Sequence, residues 1–267
     1  MNNPLYPAFF RLDRLQMLIV GAGEVGEEKL SFILKSSPNA RVNLVAPWMG
    51  EALRTLLNGY DKAAAEAGSA GQATTGKTPT ASERPNRIWY TPEGGHVSWF
   101  RREFHPDDVG EADLVVAATN YREVNQRVWE AAKRARRLTN IADTPELCDF
   151  YLGSIVTRGP LKVAISTNGQ SPTFAKRFRQ WLESELPEVE TTALIDNLHL
   201  FRDRLSGDFR AKVRELNTLT SGLLSSSRPG RTCPPGGCVL AAAAPKPNDQ
   251  ASAPPPPEAG GTPENLN

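Results

Sequence analysis

The sequence lacks several features that would place it in a well-defined class of protein. It has three cysteines and three histidines in 267 residues, so neither a disulfide framework nor a resident metal site is expected. Its 31 basic and 30 acidic residues leave a formal net charge of +1, which argues against a nucleic-acid or membrane partner held by bulk charge. No apolar run is long enough to cross a bilayer, and no cationic segment followed by an apolar one opens the chain. We therefore expect a cytoplasmic protein.

Two segments lack the large apolar side chains that a core requires. Residues 62–86 contain no aromatic and no large aliphatic residue, which predicts a flexible surface insertion. Residues 225–267 carry ten of the 22 prolines and predict a disordered tail, where Cys233 and Cys238 are interpreted as incidental rather than as a metal or redox site. About 200 residues remain, enough for one nucleotide-binding domain with a small addition.

The first ordered part alternates strands with helices. Short apolar runs predict five strands, and helical periodicity predicts helices at 26–35, from 51 onward and at 121–136. The predicted strands are residues 17–20, 41–46, 96–101, 113–118 and 138–142. This order predicts an α/β fold with a Rossmann-like, parallel, doubly wound sheet.

The pattern changes after residue 143. Residues 151–156 and 161–165 predict a small antiparallel β-hairpin, and Ser171 followed by Pro172 predicts the start of a helix. Apolar stripes between residues 194 and 223 predict a helical hairpin. The predicted divisions are 1–143 for the nucleotide-binding domain, 144–186 for a small second region, 187–224 for a helical region and 225–267 for the tail.

A glycine-rich turn follows the first predicted strand in LIVGAGEVG, residues 18–26. Gly21 permits a tight turn, Gly23 lets the backbone approach a pyrophosphate, and Gly26 allows close contact between helix and strand. The start of the following helix offers free N–H groups and a partial positive charge to that anion. We interpret the turn as a dinucleotide site rather than a purely structural turn.

The end of the second predicted strand carries no carboxylate to bind a ribose hydroxyl. It reads Ala46-Pro47-Trp48, and no basic residue follows at once to bind a 2′-phosphate. The residues alone therefore favour NAD only slightly over NADP.

Asp143 lies just past the fifth predicted strand, at the sheet edge where doubly wound folds bind their ligands. A carboxylate there is suited to remove the proton that leaves when a substrate carbon gives up hydride. Its position supports equally well a second role, as the N-terminal cap of the turn at 144–148. Within that turn, Cys148 is interpreted as a small core residue.

A second polar segment leads into the helix that begins after Ser171. It contains Ser166, Thr167, Asn168, Gly169 and Ser171. The helix N-terminus would favour substrate carboxylates here. Turn formation and helix capping explain the same residues. Taken alone, the residue types favour this structural explanation over anion binding.

Four segments resemble the siroheme-synthase dehydrogenase family, whose members are precorrin-2 dehydrogenases and often also sirohydrochlorin ferrochelatases. They are GAGEVGEEK (21–29), ATNYREVNQRV (118–128), NIADTPELCDFYLGS (140–154) and ISTNGQSPTFAKRFR (165–179). The resemblance covers residues 5–224 apart from the insertion, and the last two segments are the most specific.

The resemblance implies a Rossmann domain, a dimerisation region at 144–186 and a helical C-terminal region. It implies oxidation of precorrin-2 to sirohydrochlorin with NAD in siroheme biosynthesis, by a homodimer. The carboxylate of the family's NxxD motif maps onto Asp143 as the catalytic residue. In bifunctional members the same carboxylate is implicated in inserting ferrous iron (Fe2+), so a ferrochelatase activity stays open for this chain.

The candidate residues follow from the motifs and the resemblance together. The candidate cofactor-binding residues are Gly21, Gly23, Glu24, Val25, Gly26, Pro47, Trp48 and Thr119. The candidate substrate-binding residues are Ser166, Thr167, Asn168, Gly169 and Ser171. The main alternative is a non-catalytic NAD-binding sensor, whereas a short-chain dehydrogenase is disfavoured because no tyrosine has a lysine four residues later.

Overall fold

The structure, a computed structural model, describes residues 3–68 and 84–221 of the chain. Two units divide at residue 191. The strands are β1 Gln16–Val20, β2 Arg41–Val45, β3 Arg87–Tyr90, β4 His96–Phe100, β5 Leu114–Ala117, β6 Leu138–Ile141, β7 Ser154–Arg158 and β8 Leu161–Ile165. The α-helices are α1 Glu24–Ser36, α2 Glu51–Glu66, α3 Arg122–Arg134, α4 Pro172–Glu185, α5 Glu188–Arg204 and α6 Phe209–Thr220. Short 3-10 helices lie at Pro106–Val109 and Pro145–Leu147.

The first six strands form one sheet in the order β3-β4-β2-β1-β5-β6. All adjacent pairs are parallel except β3 with β4. The chain leaves β1 toward β2 on one side and later returns to β5 on the other, so the topological switch point lies between β1 and β5. Val20 pairs with both Val45 and Ala117, which brings the carboxyl ends of these strands level at one edge. The predicted doubly wound, Rossmann-like sheet is confirmed.

The central strand explains why the sheet is covered on both faces. Met17 and Ile19 of β1 belong to one apolar core with Leu30 of α1, whereas Leu18 belongs to a second core with Val128 of α3. All four residues from Met17 to Val20 are at most 2% exposed. An uninterrupted apolar run of this kind is typical of a parallel strand buried on both sides.

The antiparallel edge strand β3 was not predicted. Its four residues pair with β4 across a loop at 91–95, where Gly94 has a φ of +81°. A Cβ at Gly95 would lie 2.3 Å from the Pro38 carbonyl oxygen, so only glycine fits. An antiparallel edge on an otherwise parallel sheet is common.

The predicted insertion at 62–86 is wrong at both of its ends. Helix α2 continues to Glu66, and Ala64 within it is fully buried. Asn86 donates its backbone N–H to the Trp99 carbonyl at 2.7 Å. Alanine is the best helix former, so the absence of large side chains did not prevent a helix there. Residues 69–83, and the predicted tail at 225–267, lie outside the described residues.

The predicted β-hairpin forms from β7 and β8. Arg158 pairs with Leu161, which leaves a two-residue Gly159-Pro160 loop in which Gly159 has a φ of +54°. The first strand begins three residues later than predicted. Helix α4 packs on this hairpin through a small core of Val156, Ile165 and Ala175.

Two basic side chains of the hairpin attach it to neighbouring helix ends. The Arg158 guanidinium donates to the carbonyls of Glu183 and Leu186 at the end of α4, at 2.8 and 2.6 Å. The Lys162 ammonium donates to the Ser36 carbonyl at the end of α1. Helix C-termini carry unpaired carbonyls and a partial negative charge, so both cations satisfy groups that the helices leave open.

The second unit contains the remainder of α5 and all of α6. Asp208 caps α6, accepting the Ala211 N–H at 2.8 Å, and Gly207 before it has a φ of +100°. The predicted helical C-terminal region is confirmed up to residue 221 as the two helices α5 and α6. Within the described ranges, no helix has the length and apolar content needed to span a membrane.

Candidate active site

The glycine turn between β1 and α1 can be built only with glycine at two positions. A Cβ at Gly21, whose φ is +105°, would lie 2.4 Å from the Ala118 carbonyl oxygen. A Cβ at Gly26 would lie 2.2 Å from the Gly21 carbonyl oxygen. Gly23 occupies the N-cap position of α1 and has no side chain to satisfy the N–H groups of the first turn. These features fit a pyrophosphate held by backbone N–H groups at the start of α1.

Glu24 and Val25 open the helix itself. Glu24 is exposed, and Val25 packs partly buried against the core. Their backbone N–H groups belong to the first turn of α1, which is how either residue would contact the cofactor.

Trp48 lies beside this turn. It follows β2 together with Pro47, and both residues are exposed. The indole ring would lie 3.4 Å from a Cβ at Gly23. The structure therefore places the end of β2 against the glycine turn, where the adenosine half of a dinucleotide binds in doubly wound sheets.

Thr119, at the carboxyl end of β5, is held by the buried Asn125 of α3. The Asn125 side-chain oxygen accepts from the Thr119 backbone N–H at 3.2 Å and from its hydroxyl at 2.7 Å. The Asn125 amide donates to the Thr119 carbonyl at 2.9 Å. Three hydrogen bonds from one side chain fix the turn that lies across the switch point from Gly21.

Asp143 lies two residues beyond β6 with an exposed side chain and a φ of +56°. Aspartate is one of the few residues besides glycine that tolerates this left-handed conformation. Among residues 3–68 and 84–221, no group forms a hydrogen bond or ion pair with its carboxylate. The alternative role as a helix cap is wrong, because Thr144 occupies the N-cap position of the 3-10 helix at Pro145–Leu147 and no side chain caps it.

The loop at 142–150, which carries Asp143, folds back onto β6. Asp149 accepts from the Thr139 backbone N–H and hydroxyl, both at 2.9 Å, and from the Lys133 ammonium at 2.6 Å. Burial acts to raise the pKa of Asp149, but the hydrogen bonds from Lys133 and Thr139 outweigh it, so the pKa lies below its usual value. The loop is therefore tied to both β6 and α3.

Cys148 belongs to the same loop and is half-buried, in line with its predicted structural role. Its sulfur accepts the Ile141 backbone N–H at 3.2 Å, and burial raises the pKa of the thiol. A thiol held in this way is a poor nucleophile at neutral pH.

A cleft of about 120 Å³ lies between the start of α3 and this loop. Polar side chains line much of it, including those of Arg122, Gln126 and Thr144. Pockets that enclose a drug-sized ligand measure roughly 300–1,000 Å³. A larger substrate would have to lie across the open surface beside Asp143.

The polar turn at 166–171 forms at the end of β8, next to the start of β7, because Ser154 pairs with Ile165. Ser171 accepts the Phe174 N–H at 3.2 Å and caps α4, and the Thr167 hydroxyl accepts the Ser171 N–H at 3.2 Å. Asn168 and Gly169 have φ values of +52° and +75°. The Ser166 hydroxyl accepts the Asn168 N–H at 3.2 Å. Turn formation and capping thus account for the hydroxyls of Ser166, Thr167 and Ser171, while Ser166 and Gly169 are exposed.

Three supporting residues were missed from the sequence. Asn125, Asn140 and Asp149 make the hydrogen bonds that fix the turns at the carboxyl ends of β5 and β6. Two signals were available. Asn140 is the asparagine of the NxxD motif that ends at Asp143. Asn125 lies three residues before the predicted inward-facing Val128, so a polar side chain interrupts the buried face of α3. Within the described ranges, no three His, Cys, Asp or Glu side chains lie close enough to hold a metal ion.

A parallel sheet with a glycine turn at its switch point and a free carboxylate at the same edge defines a Rossmann-type dinucleotide-binding protein. A family model described as "Putative NAD(P)-binding" matches residues 8–154, and a second, "Sirohaem biosynthesis protein central", matches residues 158–185. The chain therefore belongs to the family described as putative NAD(P)-binding. The second match, over a short segment, agrees with the resemblance to the siroheme-synthase dehydrogenase family seen in the sequence.

Individual relatives agree with this assignment. The chain is 31% identical over 230 residues to siroheme synthase 3 of Aeromonas hydrophila subsp. hydrophila, covering 86% of the chain and 41% of the relative. It is 28% identical over 216 residues to a siroheme synthase of Mannheimia succiniciproducens, covering 80% and 36%. The chain thus spans about two fifths of the length of these relatives. The solved structure of SirC, a precorrin-2 dehydrogenase, shares the fold, with a TM-score of 0.54 at 20% identity over 83% of this chain and 90% of that one.

Proposed function

We propose that this protein oxidises precorrin-2 to sirohydrochlorin with NAD and that Asp143 is its catalytic residue. The observation that carries the proposal is the Asp143 carboxylate, exposed and without a partner among the described residues, at the same sheet edge as the glycine turn. The names of the relatives and of the structural neighbour, siroheme synthases and a precorrin-2 dehydrogenase, support the choice of substrate.

Different groups of the protein would bind the cofactor and accept the substrate proton, according to their positions. Backbone N–H groups at Gly23 and the first turn of α1 would hold the pyrophosphate, with Trp48 on the adenosine side and Thr119 across the switch point. Bound NAD supplies the hydride acceptor. Oxidation of the macrocycle releases one hydride and one proton, and the Asp143 carboxylate accepts that proton.

An open surface suits the proposed substrate. Precorrin-2 is a wide macrocycle that carries many carboxylates, and the cleft next to the Asp143 loop is far smaller than such a ligand. The N–H groups of Asn168, Ser171 and Phe174 form hydrogen bonds within the turn and the helix cap. The partial positive charge at the start of α4 still favours the substrate carboxylates, which supports Ser166, Thr167, Asn168, Gly169 and Ser171 as substrate contacts.

We propose a homodimer formed through the region at 144–186. The hairpin of β7 and β8 has only two strands, and such hairpins are marginally stable without further packing. Helix α4 covers one of its faces but exposes an aromatic stack on its own outer side, with Phe174 58%, Phe178 38% and Trp181 53% exposed. A second copy that pairs through the same surface would bury it on both subunits.

Ferrous iron insertion is a second activity that the same carboxylate would serve, by taking protons from the pyrrole nitrogens. This ferrochelatase activity stays a prediction, as does a cytoplasmic location. The rate of iron insertion into sirohydrochlorin, compared with the spontaneous rate, tests the ferrochelatase activity. If the protein does not accelerate insertion, its activity is that of a dehydrogenase only.

The decisive experiment follows NADH formation by its absorbance, together with the product spectrum, after precorrin-2 is added to the wild type and to Asp143→Asn. Loss of a general base typically costs about 10²–10⁴-fold in turnover, and we expect a loss in that range with NAD affinity unchanged. Asp107→Asn is the control, because Asp107 is an exposed carboxylate (91%) in the 3-10 helix at Pro106–Val109, where its ion-pair partner is the exposed His105. Near-normal turnover by Asp143→Asn would refute the assignment of the base. NAD binding without turnover or tetrapyrrole affinity in the wild type would instead support the sensor alternative.

A further inference from the structure

The loop that carries Asp143 leaves β6 and returns to the same strand within ten residues. Asp149 donates its backbone N–H to the Thr139 carbonyl at 2.8 Å, so the end of the loop lies beside the residues that precede its start. Asp143 protrudes from a closed loop, whose shape depends on the bonds that close it.

Asn140 supplies one of these closing bonds from inside the protein. It belongs to β6 and is 6% exposed. Its side-chain amide donates to the Phe150 carbonyl at 2.9 Å and lies 3.7 Å from the Cys148 sulfur. A single buried side chain therefore connects the strand before Asp143 to the far end of the loop.

Asp143 has no comparable anchor of its own. Its carboxylate is exposed and forms no hydrogen bond or ion pair with any residue in the described part of the chain. Its backbone has a φ of +56°, a left-handed conformation that aspartate tolerates and that the closed loop holds in place. The position of the carboxylate is thus set by the loop backbone rather than by contacts of its side chain.

We infer that Asn140 is a positioning residue for Asp143: its hydrogen bond to the Phe150 carbonyl fixes the loop that presents the carboxylate. This inference rests on the proposed catalytic role of Asp143. A misplacement of about 1 Å can cost roughly 10²-fold in rate, so the loss of one loop bond is enough to reduce turnover.

The test is a double-mutant cycle on turnover with the wild type, Asn140→Ala, Asp143→Asn and the double variant. We expect Asn140→Ala to reduce kcat about 10–100-fold and to leave the KM for NAD within about twofold, because the glycine turn lies on other elements. In the Asp143→Asn background, Asn140→Ala has no further effect on kcat, since no base remains to be positioned. Asn58→Ala serves as the control, because it removes another asparagine bond, to the Trp89 indole N–H at 2.9 Å, far along the chain from this loop.

The outcomes separate the two proposals. Normal kcat in Asn140→Ala, together with an inactive Asp143→Asn, overturns the positioning role and leaves the catalytic role intact. An equal loss of kcat from Asn140→Ala in both backgrounds also overturns it, because Asn140 then acts independently of Asp143. Full turnover by Asp143→Asn alone overturns both proposals. If Asn140→Ala does not fold, Asn140→Leu, which keeps a side chain of similar size but has no donor for the Phe150 carbonyl, takes its place in the same cycle.

Discussion

The Gly26 backbone lies against the Gly21 carbonyl, so that a Cβ at Gly26 would be 2.2 Å from that oxygen. Because the obstacle is backbone and not a flexible side chain, the turn or the helix start must move to admit an alanine. We expect Gly26→Ala to weaken NADH binding at least tenfold and to lower the melting temperature. Binding can be measured by calorimetry and stability by thermal denaturation.

Gly59 provides the control for that substitution. It lies inside α2, and a Cβ there would meet nothing within 4 Å. Because glycine is disfavoured in helix interiors, Gly59→Ala should stabilise the protein by about 0.5–1 kcal/mol and leave NADH affinity unchanged. Equal NADH affinity in the two variants would contradict the role of the glycine turn.

Asn125→Ala should affect both stability and the cofactor site. The substitution leaves the Thr119 N–H without its partner and removes two further bonds, at an expected cost of about 1–3 kcal/mol. The freed turn at Thr119 should also weaken NAD binding. Gln126→Ala, an exposed change at the next residue of α3, is the matched comparison for urea denaturation. Similar midpoints for the two variants would argue against the Asn125 network.

Asp149 should make the stability of the protein depend on pH in the acidic range. Because its pKa is lowered in the folded state, the stability it contributes is complete above its unfolded pKa and is lost as the pH falls through the lower, folded pKa. Asp149→Asn should therefore destabilise the protein by about 1 kcal/mol at pH 7, and by progressively less toward pH 3. Chemical denaturation at both pH values measures the difference, and a loss that stays constant with pH would exclude this explanation.

The aromatic stack on α4 predicts a change in assembly. Trp181→Lys places a charge on the surface formed by Phe174, Phe178 and Trp181, and it should convert a dimer to monomers in sedimentation velocity. Phe209→Lys, at another exposed aromatic residue (82%), should leave the assembly unchanged. A wild type that sediments as a monomer would rule out the proposed dimer.

The sequence predicted the elements whose signals are local. The apolar run at β1, the glycine turn and the cap at Ser171 each depend on a few neighbouring residues, and the structure has all three. Strand β3 was missed because four residues are too few to show a clear alternation of apolar and polar side chains. Its pairing with β4 is a tertiary contact that the local sequence does not reveal. The Gly94-Gly95 pair, which marks the hairpin turn, was the signal that could have revealed it.

The supporting bonds of the candidate site could not be predicted in the same way. The bond of Asn140 to Phe150 joins residues ten apart, and that of Lys133 to Asp149 joins residues sixteen apart. Both bonds depend on the path of the loop at 142–150, whose sequence has no periodic pattern of apolar residues from which that path could be predicted. The motif indicated the position of Asp143, whereas its left-handed backbone and its exposure emerged only from the folded chain.

Helix α1 is attached at both ends to parts of the proposed machinery. Its first turn faces the pyrophosphate position, and its last carbonyls receive the Lys162 ammonium from the hairpin. A helix of 13 residues is a stiff rod of about 20 Å. If a partner subunit or a bulky ligand tilted the hairpin, α1 would move with it as a rigid element and shift the site of the nucleotide phosphates. Nucleotide binding would in turn restrict the movement of the hairpin.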